Sequence, residues 1–451
     1  MSDKRITVYG AGLAGCEAAW QAAERGVHVR LVEMKPHKRT PAHHTDGFAE
    51  LVCSNSLRSD AVSNAVGLLK EELRRMGSLI MQAADATRVP AGSALAVDRE
   101  KFSAFITNKI ISHPLIEVVY AEADSLERDE ISVIATGPLT SDVMATYIRD
   151  TLGFGELHFF DAAAPIVSAD SINTDIAFFA SRYDKGDADY INCPMDEQQY
   201  DAFRNALISA KEADLKDFDR EQQKELKVFE GCMPIEVMAR RGRETMLFGP
   251  LKPVGLIDKR VGKEAFAVVQ LRKENAEGTM YNIVGFQTHL TFPEQRRVFG
   301  MIPGLENAEF LRYGVMHRNT YLNSPGNLDA AYRFERSGEF GIYFAGQMTG
   351  VEGYIESTGS GLVAGINAAC EALGKEKLLF PRATMLGAMA HYVANGGNSA
   401  FAPMNANFGI IEPLPTRVKG GKAAKNQALA DRALALIDQI KEQVNEKNCN
   451  S

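Results

Sequence analysis

Gly10, Ala11, Gly12, Leu13, Ala14 and Gly15 form the first run whose residue types dictate a chemistry. Glycines spaced G-x-G-x-x-G, between a β-branched stretch and an Ala-rich helical stretch, build a phosphate-binding turn. Gly10 makes the tight turn, Gly12 lets backbone approach a pyrophosphate, and Gly15 lets helix and strand pack closely. The helix start then offers free N–H groups and the positive end of a dipole. Glu33 ends the next strand, 18 residues after Gly15, where an acid holds ribose hydroxyls. The competing reading is a glycine-rich turn in an unrelated α/β unit. Two thiols also stand where chemistry is possible. Cys232 sits in Gly231-Cys232-Met233-Pro234, a turn that exposes it, and Arg240, Arg241 and Arg243 follow. Nearby cations favour the thiolate, the nucleophilic form. Cys53 lies in a polar loop with Ser54, Asn55 and Ser56, after the second strand. A buried structural cysteine at 232 and an idle loop cysteine at 53 are the plainer alternatives. Cys16, beside Gly15, reads as packing, and Cys193, Cys370 and Cys449 as bystanders.

The elements that must hold these residues follow from periodicity. A strand at 5–9, a helix at 13–25 and a strand at 27–32 make one strand–helix–strand unit. Helices are expected at 66–84 and 99–111, and strands at 116–120 and 131–135. From about 166 to 329 the pattern changes to Ser/Asp-rich turns, a helix near 196–210, a highly charged stretch at 211–227 and short strands such as 265–271 and 281–285. A buried-strand pattern returns at 341–345, a small-residue helix follows at 358–373, and an amphipathic helix closes the chain at 424–447. Gly, Asn and Pro make 393–422 a long ordered loop. The fold class is therefore α/β: a Rossmann-like FAD-binding domain from 1–165 and 330–451, with a second α+β domain, 166–329, inserted to handle substrate. FAD is favoured over NAD as the resident cofactor because the chain returns late to its first domain. Thr136 and Gly137 end one strand, Gly346 and Gln347 follow another, and glycine-rich 350–365 opens a helix. These late patches are expected to hold the second half of FAD. Gln347 stands where many FAD enzymes carry Asp, so its ribityl contact must differ.

Composition narrows the class. The chain has 451 residues, 45% apolar and 24% charged, which is ordinary globular content and rules out a disordered or fibrous chain. Six cysteines without a CxxC pair read as reduced thiols, not a zinc site or disulfide framework. His43-His44 is a metal pair by composition, but no third ligand is evident, so no metal is expected. Glu17 interrupts the N-terminal apolar stretch, which spoils a signal segment, and no membrane span is expected, so the cytoplasm is the default location. Net charge is −8, which leaves nucleic-acid binding to a local patch. The best is 236–264, with seven Lys/Arg (240, 241, 243, 252, 259, 260, 263) against four acids (236, 244, 258, 264). Such a run is equally compatible with a solvated face.

Three segments carry a family likeness. They are the N-terminal glycine motif, Gly353-Tyr354-Ile355-Glu356-Ser357 after Phe344-Ala345-Gly346-Gln347, and the stretch from Gly359 to Ala369. Together they resemble the GidA superfamily of tRNA-modifying flavoproteins, whose fold is glutathione-reductase-like. Leu51 to Ser59 and Phe229 to Glu236 narrow the likeness to its small branch, the folate- and FAD-dependent tRNA (uracil-54-C5)-methyltransferases, over nearly the whole chain. The resemblance implies a carbon from 5,10-methylenetetrahydrofolate, electrons from reduced FAD, re-reduction by NAD(P)H, and 5-methyluridine in the tRNA T loop. It implies no obligate protein partner. It gives Cys232 the attack on uracil C6 and makes Cys53 the second redox or acid–base thiol. His289 is the expected stacking partner of the pterin, with His317 as rival and a satisfied core histidine as the plain alternative. Arg240, Arg241 and Arg243 are expected to grip RNA phosphates, and the target base must leave its stack. The same chemistry on a 23S rRNA uridine, or a non-methylating FAD oxidoreductase or RNA-binding flavoprotein, stays open.

Overall fold

The computed structural model describes residues 5–40, 42–154, 156–162, 164–184, 187–213, 233–274, 278–314, 316–396, 401, 403–416 and 418–449. Its N-terminal unit is β1 (Arg5–Tyr9), α1 (Leu13–Ala23) and β2 (His28–Glu33). The β-branched residues of β1 fit a pleated, covered surface, and only Arg5 of that strand is exposed. Five parallel strands form the first sheet, in the order Ile342–Phe344, Ile131–Ile134, β1, β2, Ile116–Tyr120. Val8 pairs with Leu31 on one side and Val133 on the other. Parallel pairing demands crossover connections and cover on both faces, and the central strands β1 and Ile131–Ile134 are accordingly buried almost throughout.

The long helix Tyr354–Ala372 lies against α1, and all eleven residues of α1 are buried. This helix begins four residues earlier than its sequence pattern suggests. The expected helix at 66–84 is two: α2 (Ala65–Arg75) and α3 (Leu79–Ala86). Gly77 takes φ +76°, and the Ser78 hydroxyl accepts from the Met81 N–H, so the apolar stripe continues across a break that periodicity alone does not register. Helix Met385–Asn395 enters what reads as loop from 393. Two buried acids tie these helices. Glu17 accepts from the Ser78 hydroxyl and the Ile80 N–H, and Glu72 from the N–H groups of Met385 and Leu386. Burial pushes both carboxyls up to about 7.

A second sheet of six strands runs in the order Phe178–Ala180, Tyr190–Met195, Ala267–Lys273, Met280–Ile283, Ile166–Ser168, Phe310–Arg312, all pairs antiparallel. Helix Glu197–Ser209 packs on it, started by a capping box between Asp196 and Gln199. The buried side chains fall into two main clusters. One joins residues from Ile6 to Phe154 with residues from Leu322 to Ile440, and the other runs from Val167 to Leu305. No helix among the described residues is long and apolar enough to cross a membrane.

Candidate active site

A cleft with about 1090 Å³ of empty space, its open mouth included, lies at the carboxyl ends of the parallel strands. That is where open α/β sheets bind ligands. The glycine turn forms its floor. Gly10 takes φ +98°, and a Cβ there would lie 2.7 Å from the Ala135 carbonyl oxygen. A Cβ on Gly15 would lie 1.8 Å from the Gly10 carbonyl oxygen. These two glycines are required by the chain itself. Gly12 is different: a Cβ there meets nothing within 4 Å. It is the N-cap of α1 and supplies no side-chain bond, so the first-turn N–H groups carry no side-chain cap beside the cleft. Glu33 is buried beside them. Its carboxylate accepts from the Ala11 N–H at 2.7 Å and the Lys35 N–H at 2.9 Å. Free helix N–H groups, an open glycine and a fixed acid suit the pyrophosphate and ribose of FAD. Ala11, Leu13 and Ala14 line the same wall.

This division yields a prediction. Gly12→Ala, at an ordinary φ of −74°, is expected to leave apoprotein stability within about 0.5 kcal/mol of wild type. The same methyl group projects toward the ligand and is expected to weaken FAD about tenfold or more. Thermal melts and flavin titration check both halves; a Gly12→Ala protein that keeps wild-type FAD affinity contradicts the assignment.

The far wall combines Thr136, Gly137, Gly346 and Gln347. Thr136 and Thr140 share a hydroxyl contact of 2.7 Å, and Gly137 takes φ +74°. The Gly346 N–H donates to the Ser360 hydroxyl, and the Gln347 amide donates to Glu352 at 2.7 Å. The later glycines need correcting. Gly361 and Gly365 do not line the cleft; a Cβ on either would lie within 2.6 Å of the backbone of Ala14 or Ala18 in α1. They serve helix packing. Residues the sequence reading did not place in a cofactor site also line the cleft, including Lys35, His43, Glu50, Ser141 and Tyr354. His43 bonds Thr40 at 2.7 Å, and burial lowers its imidazole pKa.

Cys53 is half-buried, and its N–H donates to the Tyr354 hydroxyl at 2.7 Å. Tyr354 lines the cleft, so the Cys53 loop abuts it. Cys232 lies within 214–232, outside the described residues. Cys16 and Cys193 are buried, and desolvation raises both thiols, Cys193 to about 12, as packing cysteines require. His289 is placed elsewhere. It does not line the cleft; its ring is buried, with Nδ1 3.6 Å from Glu236 and 3.9 Å from Glu212. Its neighbourhood, with the Arg240 guanidinium, holds the Glu212 carboxyl down at about 2. Both acids approach the ring at its Nδ1 edge. His317 is in strand Met316–Leu322, and its side chain lies outside the described part. The three arginines diverge: Arg240 pairs with Glu212, Arg243 pairs with Asp201 and Glu197, and Arg241 is exposed.

Comparison with known proteins gives these features their context. Residues 5–376 match the family described as glucose inhibited division protein A, GidA. A relative from Acetivibrio thermocellus is 58% identical over 432 residues, covering 96% of this chain and 97% of its own. One from Lactobacillus acidophilus is 57% identical over 441 residues, covering 98% and 99%, and one from Listeria monocytogenes 54% over 442, covering 98% and 100%. All three are named methylenetetrahydrofolate--tRNA-(uracil-5-)-methyltransferase TrmFO. Among solved structures, Aquifex aeolicus GidA superimposes with a TM-score of 0.69 at 16% identity, over 97% of this chain and 74% of that one. The glycine turn, the parallel sheet and this near-complete alignment agree, and the chain belongs to the GidA family.

Proposed function

We propose that this protein methylates C5 of a uracil in tRNA, at position 54 of the T loop. Its carbon comes from 5,10-methylenetetrahydrofolate and its electrons from FAD kept reduced by NAD(P)H. The observation that carries this reading is the 54–58% identity, over nearly the full length, to relatives named for that reaction. The cleft supports it from the chain's side. Gly10 to Gly15 and the start of α1 would hold the pyrophosphate, Glu33 the ribose, and Thr136, Gly137, Gly346 and Gln347 the flavin half. The chemistry FAD supplies when bound is hydride donation to the transferred carbon. Uracil C5 is a poor nucleophile. In this reading the Cys232 thiolate adds to C6, which makes C5 an enolate carbon able to attack a one-carbon electrophile. Cys53 takes the C5 proton as the methylene C–N bond breaks and tetrahydrofolate leaves, hydride completes the methyl group, and elimination frees Cys232. Arg241 and neighbouring cations contact phosphates. The two main buried clusters support the division into 1–165 with 330–451 and an inserted 166–329. The protein would act in the cytoplasm.

The test supplies unmodified tRNA transcript, labelled methylenetetrahydrofolate and NADPH. Label in the methyl group of the T-loop uracil is the expected result. Label only with 23S rRNA moves the activity to that substrate, and no label with either RNA refutes the proposal.

A further inference from the structure

The loop carrying Cys53 is held residue by residue. The Leu51 carbonyl accepts from Arg99 and the Val52 carbonyl from Arg312. The N–H groups of Cys53 and Ser54 donate to the Tyr354 hydroxyl at 2.7 and 3.2 Å. Arg272 donates to the Ser54 hydroxyl at 2.7 Å and to the Asn55 side-chain oxygen at 3.2 Å. The Asn55 amide donates in turn to the carbonyls of Lys273 at 2.8 Å and Glu274 at 3.2 Å. Arg272 and Arg312 come from strands Ala267–Lys273 and Phe310–Arg312 of the second sheet. The chain's other core therefore reaches across to grip this loop.

Charge accompanies the grip. Arg99, Arg272 and Arg312 bring three guanidiniums, and the acid set among them is Glu274, which pairs with Arg99 and is 2% exposed. Arg272 is 7% exposed. Burial lowers the Arg312 pKa, Arg99 lowers it further, and Glu274 and the Cys53 sulfur oppose them. The other groups facing the cluster do not balance it. The His44 pKa is lowered by burial and by Arg312, and the Tyr354 phenol is raised by burial. Glu50 accepts from the N–H groups of His44 and Thr45 and sits 3.8 Å from Lys35. A positive surplus away from water acts over short distances with little screening.

We propose that Arg312, with Arg99 and Arg272, is a positioning residue for Cys53, fixing its loop from the inserted domain and supplying the positive charge that keeps its sulfur a thiolate near neutral pH. The proposal rests on the reading of Cys53 as a working thiol. Its test measures iodoacetamide alkylation of Cys53, by peptide mass spectrometry, on reduced holoprotein between pH 5 and 10. In Arg312→Met the midpoint of the alkylation profile is expected to rise by about one pH unit or more, cutting the rate at neutral pH about tenfold. Arg312→Lys is expected to recover most of that shift, with flavin content unchanged in both. An Arg312→Met profile that coincides with wild type, with flavin retained, overturns the proposal. Should Arg312→Met lose its flavin, Arg99→Met carries the same expectation and the same refutation. Full methyl transfer by Cys53→Ala would remove the underlying reading of Cys53 instead, and it leaves the alkylation comparison untouched.

Discussion

Cys232→Ala is expected to abolish methyl transfer, by on the order of 10³-fold or more, while the protein stays yellow with bound flavin. The size follows from the chemistry. Without a sulfur to add at C6, uracil C5 gains no carbanion character, and no later step can begin. The retention of flavin follows from the structure. Among the described residues, those lining the cleft fall between Tyr9 and Met144 or between Gly346 and Ser357. Flavin binding is expected to rest on those residues, so loss of one sulfur at 232 is expected to leave it in place. Absorbance gives the flavin stoichiometry, and labelled folate gives the transfer rate on tRNA. Activity within tenfold of wild type would take the nucleophile's role from Cys232. Loss of both flavin and activity would make the residue structural.

What was legible in the sequence is what short-range physics controls. The run from β1 to β2 shows itself because a β-branched strand, a glycine turn and an Ala-rich helix each carry a local signal, and the strand and helix bounds fall within two residues of expectation. Glu33 was placed by spacing alone, and its carboxylate does fasten to the turn through Ala11. What stays hidden is long-range. Arg240 and Arg243 read as free phosphate grips because their acidic partners Glu212, Asp201 and Glu197 lie 28 to 46 positions away. Nothing near His289 in sequence announces Glu212 and Glu236 beside its Nδ1. The three arginines behind Cys53 were missed for the same reason, although Arg272 left a trace. It is a charged residue inside Ala267–Lys273, a strand whose pattern is otherwise mostly buried. A buried charge on a strand must find partners, and here they belong to a loop 217 positions earlier.

Gly361→Ala is expected to destabilise the fold by far more than the same change at Gly359 in the same helix. In an ordinary helix interior this change gains about 1 kcal/mol, because alanine is the better helix former. Here the new Cβ would lie 2.3 Å from the Ala14 carbonyl oxygen and 2.8 Å from its Cα. Both are backbone atoms of α1, so no side-chain rotation relieves the contact, and the two helices must part. Overpacking of this kind costs about 3 kcal/mol. Parting the helices also moves the start of α1, which carries the phosphate turn, so FAD affinity is expected to fall with stability. Gly359→Ala is the internal control. Its Cβ would meet only the side-chain tips of Leu386 at 3.1 Å and Leu69 at 3.5 Å, and those can turn aside. Urea unfolding of the two apoproteins should separate them by about 2 kcal/mol or more. Trimming Ala14 to glycine in the Gly361→Ala background should rescue nothing, because the obstructing atoms are main chain. Equal stability of the two single variants, or rescue by Ala14→Gly, would show that the helices do not touch backbone to backbone and that Gly361 is left for the flavin after all.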